Sequence, residues 1–423
     1  MDGFNQMQLS LFPNYGRNQI LHDLFLAYYD ARRNKRNTIN ALKFEINYES
    51  NVLKLCDEIL TGNYKPLPSI CFIVNKPVQR EIFAAEFRDR VIHHFIFNHI
   101  SPVFEKYFIH DSYSCRKNKG THFGISRIDH FIRSCSQNYI LDAYILKLDI
   151  KGYFMAINKS ILFQKVKSVL LRQQHALDFN LQLELELIEK AIFNDPVIGC
   201  RIKGGKSDWN GLPSSKSLFY SQPGCGLPIG NLTSQLFSNV YLNEFDHYIK
   251  NDLGIKYYGR YVDDFVIVHQ NKDYLKTLIP KIRDYLHEEL HLQLHPNKIY
   301  LQHFTKGVKF LGAIIKPHRV YIANRTKGNF YRAIQKQNKL ARHHKPTKEE
   351  QAAFLSSMNS YLGILKPCKA KQEGKHYKTY KLRKNMIAKY LSAWWWNYFY
   401  PVGYAKFVLK KKIVKSPNRM INA

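Results

Sequence analysis

Two adjacent acidic residues interrupt an otherwise apolar stretch in Tyr261-Val262-Asp263-Asp264-Phe265, and this constrains the fold more than anything else in the chain. The flanking runs, residues 255–261 and 265–269, are rich in aromatic and β-branched side chains, and such runs split by a polar pair predict a β-hairpin. Favoured tight hairpin turns place Gly or Asn where φ must be positive, and neither occurs here. Asp tolerates such turns, so taken alone the pair reads as turn chemistry. A third carboxylate changes that reading. Asp149 ends another apolar run, residues 144–149. If the two strands lie side by side, a strand-end Asp and a hairpin-tip Asp face one point. Two divalent ions roughly 4 Å apart require such a cluster, because hard cations are held by carboxylate oxygens and clamp both oxygens of a phosphoryl transfer.

The chain of 423 residues is 45% hydrophobic and 14% aromatic, enough for two or three folded domains and too apolar for a disordered protein. Its formal net charge of +31 points to a polyanionic partner. From Thr326 onward there are 22 Lys and Arg against 3 acidic residues, so +19 of that excess lies in the last quarter. Such a footprint suits a nucleic-acid backbone and predicts binding that weakens steeply with salt. Seven scattered cysteines, with no Cys-x-x-Cys pair, argue against a disulfide framework or zinc site and for a reducing, cytoplasmic setting. No signal peptide is visible at the N-terminus. The uncharged stretch 390–405, with Trp394-Trp395-Trp396, is too short and too broken by Pro401 and Gly403 to span a membrane. It reads as a C-terminal helix packed on the body, with base stacking or an accessory contact as the other reading.

Residues 1–40 read as an N-terminal extension with one helical segment at 20–32. Residues 160–193 are helix-rich, and 204–223 form a polar Gly/Pro/Ser loop too long to be a simple connection. Thr347-Lys348-Glu349-Glu350 predicts a capping box. Phe354, Met358, Tyr361 and Leu365 follow at helical spacing, and with 329–342 and 377–396 they suggest three helices. Residues 199–207 nearly imitate a P-loop, but five residues separate Gly199 from Gly205-Lys206-Ser207, and Pro213 breaks the required helix. His93-His94 and His343-His344 lack the spacing of a zinc helix and read as packing or phosphate contacts.

The acidic motifs resemble those of the reverse transcriptases. Tyr261-Val262-Asp263-Asp264 is similar to their Tyr-x-Asp-Asp signature, and residues 148–154 to their other acidic motif, within colinear segments running from about Arg80 to Arg383. Segments 80–91, 111–116 and 226–235 are most similar to the enzymes of diversity-generating retroelements. Ile229-Gly230 and Ser234-Gln235 replace the Gln-Gly and Ser-Pro of most reverse transcriptases. Antiphage defence-associated enzymes share parts of this pattern. The resemblance implies an α+β, right-hand polymerase: fingers at 41–140, a palm with an antiparallel sheet at 141–325, and a basic helical thumb and tail at 326–423.

It further implies an RNA-directed DNA polymerase that extends a primer 3′-hydroxyl with dNTPs on an RNA template, using two Mg²⁺ ions. Asp149, Asp263 and Asp264 would be catalytic and, with Ile150, hold the metal. Lys298 would protonate pyrophosphate or act as a point charge. The nucleotide site would comprise Arg80 (or Lys76) and Arg116 on the triphosphate, Phe154 under the sugar, and Gly230 and Gln235 beneath the templating base. Tyr261, the primer-grip turn Phe310-Leu311-Gly312, and Tyr321, Arg325, Lys327 and Arg332 would touch nucleic acid. Implied partners are the RNA template, the cDNA or primer strand and a small basic accessory protein; a homo-oligomer is compatible with the sequence, and a membrane is not expected. Two alternatives stay open: a defence-associated reverse transcriptase, and a non-catalytic RNA-binding protein of the same fold.

Overall fold

Apolar strands alternate with amphipathic helices to give an α+β fold with chiefly antiparallel sheets. The computed structural model describes residues 16–33, 38–75, 78–340, 344–365, 371–372, 375–376 and 379–410. It divides into two units, Met1–Gln302 and His303–Ala423. Lys76 and His343 lie outside the described residues.

In the first unit, helices α1 (Arg17–Arg32), α2 (Ile39–Glu45) and α3 (Tyr48–Leu60) precede strands β1 (Ile70–Val74) and β2 (Arg80–Ala84). Helices α4 (Phe87–Glu105) and α5 (Thr121–Cys135) lead to β3 (Tyr144–Asp149) and the short α6 (Tyr153–Ala156). Then come α7 (Lys159–Arg172), α8 (Leu181–Phe193), β4 (Arg201–Ile202), α9 (Leu232–Tyr241) and α10 (Asn243–His247). Strands β5 (Tyr257–Tyr261) and β6 (Asp264–His269), helix α11 (Lys272–Glu288) and strand β7 (Tyr300–His303) complete the series. The sheet that positions the site has the order β5-β6-β3-β7, with β3 and β5 both antiparallel to β6. A second sheet has the order β2-β1-β4, with β2 antiparallel and β4 parallel to β1.

The helix expected in an N-terminal extension is part of the core. Ile20, Leu24, Ala27 and Ala31 recur at helical spacing on α1 and are buried with Phe95 and Ile96 of α4. Tyr28 stacks on Tyr48 at 4.9 Å. A helix with such a stripe must bury it against a neighbour, and each large side chain so buried contributes about 1.5–3 kcal/mol.

The second unit holds the antiparallel strands β8 (Val308–Phe310), β9 (Ala313–Lys316) and β10 (Arg319–Ile322), and helices α12 (Asn324–Leu340), α13 (Lys348–Ile364) and α14 (Thr379–Tyr390). Two-residue strands β11 (Lys371–Gln372) and β12 (Lys375–His376) precede α14, and a hairpin of β13 (Phe399–Val402) and β14 (Lys406–Leu409) follows it. Thr347 and Glu350 form the capping box that starts α13. The third helix ends at Tyr390, short of the expected 396. Ser392 caps a separate 3₁₀ turn, Ala393–Asn397, and Asn338 Oδ1 accepts the Ser392 N–H at 2.8 Å. Trp395 is buried there, 4.3 Å from the Phe354 ring and donating to the Gln337 carbonyl, so at that position the aromatic tail is core. Among the described residues no helix is long and apolar enough to cross a membrane.

Candidate active site

The register of the β5–β6 hairpin decides where its carboxylates point. Tyr261 pairs with Asp264, so the two-residue turn is Val262-Asp263 and Asp264 is the first residue of β6. This corrects the reading of Asp263-Asp264 as the turn. Val262 has φ 57°, a left-handed conformation that is a genuine outlier for a β-branched residue. Its carbonyl accepts a hydrogen bond from Arg260 Nη1 at 2.9 Å.

Asp149 ends β3 directly opposite Asp264. Opposed residues of an antiparallel pair have Cα atoms about 4.5–5.5 Å apart, so these two side chains leave the same face at one end of the sheet. The Ile150 N–H donates to the Asp263 carbonyl at 3.2 Å, tying the turn to the residue after Asp149. From the other side, the His295 N–H donates to the Asp149 carbonyl at 2.8 Å. Asp149 and the Asp263-Asp264 pair, more than a hundred residues apart, therefore meet at one sheet end.

Two lysines reach the cluster. Lys298 Nζ lies 2.8 Å from Asp149 Oδ1, and Lys147 Nζ forms an ion pair with Asp264 Oδ1 at 3.1 Å. Burial first, then the charges of Asp149 and Asp264, push the Asp263 carboxyl up to about 6, with Lys298 pulling it back in part. Burial also raises Asp264, opposed by Lys147. Among the described residues no three acidic, His or Cys side chains form a ready-made metal cage. The donor set still fits a hard divalent cation: it is all carboxylate, and Asp263 carries a charge that its surroundings disfavour.

The other expected site residues are distributed unevenly. Phe154 is half-buried beside Tyr153, their rings 5.6 Å apart, and its carbonyl accepts the Leu227 N–H at 2.8 Å. Arg80 is exposed at the start of β2. Arg116 turns inward: its side chain is 6% exposed, pairs with Glu105 at 2.7 Å, and donates to the Ile109 and Ser112 carbonyls at 2.6 and 2.9 Å. That guanidinium braces a loop and has few donors left for a triphosphate. Gly230 has φ 137°, and a Cβ there would stand 2.8 Å from the Phe83 carbonyl, so the close approach it permits is to β2. Gln235 is the exposed residue of α9, a helix whose residues from Leu236 to Tyr241 are all buried. Tyr261 is half-buried at the hairpin end. His93, singled out as packing or phosphate contact, is half-buried, its Nδ1 hydrogen-bonded with Thr233 Oγ1 at 2.9 Å.

In the second unit, Phe310 is 0% exposed and belongs to the interior. Leu311 (φ 48°) and Gly312 (φ 83°) form the turn beside it, and the Gly312 carbonyl accepts the Ala323 N–H at 2.9 Å. Tyr321, Arg325, Lys327 and Arg332 are all exposed.

Sequence reasoning missed the support beneath the hairpin. Arg260 and Asp246 form an ion pair with both side chains 0% exposed, Nε and Nη2 donating to the two carboxylate oxygens at 2.7 and 2.6 Å. Tyr258 Oη donates to the same carboxylate at 2.6 Å. The available signal was a lone Arg in an aromatic strand, since a buried guanidinium demands an acidic partner.

The sequence profile described as reverse transcriptase (RNA-dependent DNA polymerase) matches residues 76–315, more than half of the chain. The chain belongs to the reverse transcriptase family. Among curated relatives, protein YkfC of Escherichia coli (strain K12) is 24% identical over 292 residues, which are 61% of this chain and 69% of that protein. Among solved structures, apo telomerase from Candida tropicalis, truncated from its C-terminal domain, aligns with a TM-score of 0.42 at 14% identity, over 64% of this chain and 59% of that one. Telomerase from Candida albicans, in complex with a fragment of telomeric RNA, aligns with a TM-score of 0.41 at 12% identity, over 81% of this reverse transcriptase and 61% of that chain. This chain thus spans about three fifths of those telomerases.

Proposed function

We propose that this chain extends a primer 3′-hydroxyl with dNTPs on an RNA template, at the cluster of Asp149, Asp263 and Asp264. The observation that carries the reading is the Asp149–Asp264 register, with Asp263 in the turn between β5 and β6. The family match supports it independently. Two divalent ions, Mg²⁺ by the hardness of the donors, would be held by Asp149 and Asp263 with Asp264 and Ile150 beside them, and would neutralise charge on the transferring phosphoryl group.

The chain's own residues supply placement, which is most of what phosphoryl transfer asks. Lys298, whose Nζ donates to Asp149 Oδ1 at 2.8 Å, is suited to neutralise or protonate a pyrophosphate once it releases that carboxylate. Phe154 would stand under the sugar and favour a deoxyribose, and Gln235 offers an amide to the template. Exposed Arg80 serves the triphosphate better than inward-facing Arg116. Lys316, His318, Arg319 and Tyr321 line a basic groove on the second unit, and with Arg325, Lys327 and Arg332 they suit a nucleic-acid backbone. The segments 80–91, 111–116 and 226–235 support a diversity-generating retroelement enzyme making error-prone cDNA with an accessory protein. The six described cysteines, all free thiols, suit a cytoplasmic enzyme.

The test is primer extension on an RNA template with Mg²⁺, the product sequenced for errors opposite adenine. Wild-type synthesis that vanishes in Asp263→Asn/Asp264→Asn, with RNA binding retained, is expected. Synthesis that survives in that double variant refutes the site, and a wild-type chain that binds RNA without extending a primer is the non-catalytic protein.

A further inference from the structure

The long polar loop after β4 is fastened to strand β2 by one buried carboxylate, beside two bonds from Gln79 to the Asp208 and Asn210 carbonyls. Glu81 on β2 is 1% exposed. It accepts hydrogen bonds from Trp209 Nε1 at 2.7 Å, Ser217 Oγ at 2.8 Å and the Leu218 N–H at 2.7 Å. All three donors come from the segment between residues 209 and 218. A buried carboxylate is costly unless its oxygens are satisfied, so this set of bonds holds the loop in one place.

What the loop holds in turn is the segment that carries Phe154. Gly152 adopts φ 58°, and a Cβ there would stand 2.7 Å from the Ser215 carbonyl, so the loop backbone lies against the turn that starts α6. Leu218 is buried in a small apolar cluster with Cys71, Phe83 and Met155, and Phe154 packs against that cluster together with Trp209. A Cβ on Gly226 would meet Leu218 Cδ2 at 2.6 Å, and the adjacent Leu227 N–H donates to the Phe154 carbonyl. The Phe154 turn is thus gripped between two parts of the loop, one of which hangs on Glu81.

We propose that Glu81 is a positioning residue for sugar selection, fixing the depth at which the Phe154 ring stands through the Trp209–Leu218 segment. The inference rests on the reading of Phe154 as the ring beneath the incoming sugar. Glu81 touches no reacting atom. Its loss lets the loop and then the ring relax, which admits a 2′-hydroxyl.

The experiment measures kcat/KM for a dNTP and the matching rNTP in single-nucleotide primer extension by the full chain, with Tm recorded for each variant. Phe154→Val tests the underlying reading and should collapse the deoxyribonucleotide preference. Glu81→Gln should lower that preference by about tenfold, because placement errors near 1 Å already cost large factors at a positioned group. Most of that change should come from better ribonucleotide use. Ser217→Ala, which removes one donor and keeps the packing, and Trp209→Phe, which removes one donor and part of the indole, should move it the same way by less, and Ser217→Ala carries the test if Glu81→Gln does not fold. Added to Phe154→Val, Glu81→Gln should change the preference no further. Equal losses on both substrates, an unchanged preference in folded variants, or additivity in the double variant overturns the role of Glu81. An unchanged preference in Phe154→Val overturns the gate itself, and the inference with it.

Discussion

Replacing Asp263 by Asn should stabilise the metal-free protein at neutral pH while ending catalysis. Asn keeps the size and shape of the side chain and removes its charge. The Asp263 carboxyl is raised from 3.8 to about 6, first by burial and then by Asp149 and Asp264. At about 1.4 kcal/mol for each tenfold change in proton affinity, that rise sets a ceiling of about 3 kcal/mol on the gain. Asp263 keeps part of its surface in water, and screening there brings the expected gain to about 1–2 kcal/mol.

The sign follows from linkage. A carboxyl whose folded-state value exceeds its unfolded value makes the native state bind more protons between the two. Wild-type stability from this group is therefore full below 3.8, falls as pH rises through about 6, and stays low above it. The variant has no such loss, so its advantage should be near zero around pH 4 and complete above about pH 7. Urea denaturation across that range in the presence of a chelator measures it directly. In a thermal scan at pH 7.5 the gain should appear as a Tm rise of about 1–3 °C, given the size of the chain. Millimolar Mg²⁺ should stabilise the wild type more than the variant and narrow the gap, since a ligand stabilises the state that binds it. An Asp263→Asn chain that is less stable than wild type at pH 7.5 without metal, or a gap that ignores pH, would show that the charge is already compensated in the folded state.

Arg260→Met should cost about 3–5 kcal/mol in urea denaturation, because it strands the buried Asp246 carboxylate. Arg260→Met/Asp246→Leu should recover only part of that stability, because the buried Tyr258 hydroxyl then loses its acceptor, and should extend primers poorly, since the Val262 carbonyl still lacks its donor; full activity in the double variant would refute the positioning role. Val262→Gly should raise stability by about 1 kcal/mol, as relief of a strained φ outweighs glycine's entropy, and should slow extension by loosening the turn. A destabilised Val262→Gly would mean that the positive φ carries no strain. Thr347→Ala should cost about 1 kcal/mol through the lost cap, read as faster amide exchange over residues 348–351; unchanged exchange there would show that the capping box adds nothing.

The parts of this site visible in one sequence are those whose chemistry dictates residue type and local pattern. A carboxylate inside an apolar run marks the end of a strand, so Asp149 and the Asp263-Asp264 pair betray themselves by interrupting such runs. The capping box at Thr347 is equally local and equally legible. What stayed hidden depends on which distant group a side chain meets. Arg116 carries the same fork whether it faces a triphosphate or, as here, Glu105 and two carbonyls. Arg260 gains its meaning from Asp246 on a helix, and Glu81 from a loop more than a hundred residues away. The hairpin register belongs to the same class: its turn residues have no Gly or Asn, so local preference alone misplaced the turn by one residue. Pairing with β3 and the bond from Arg260 to the Val262 carbonyl hold it instead. A strained turn maintained by tertiary contacts is invisible to propensity, because the energy that selects it comes from elsewhere in the fold. The residues hardest to foresee here are therefore the ones that place the aspartates, and their removal should separate folding from catalysis most cleanly.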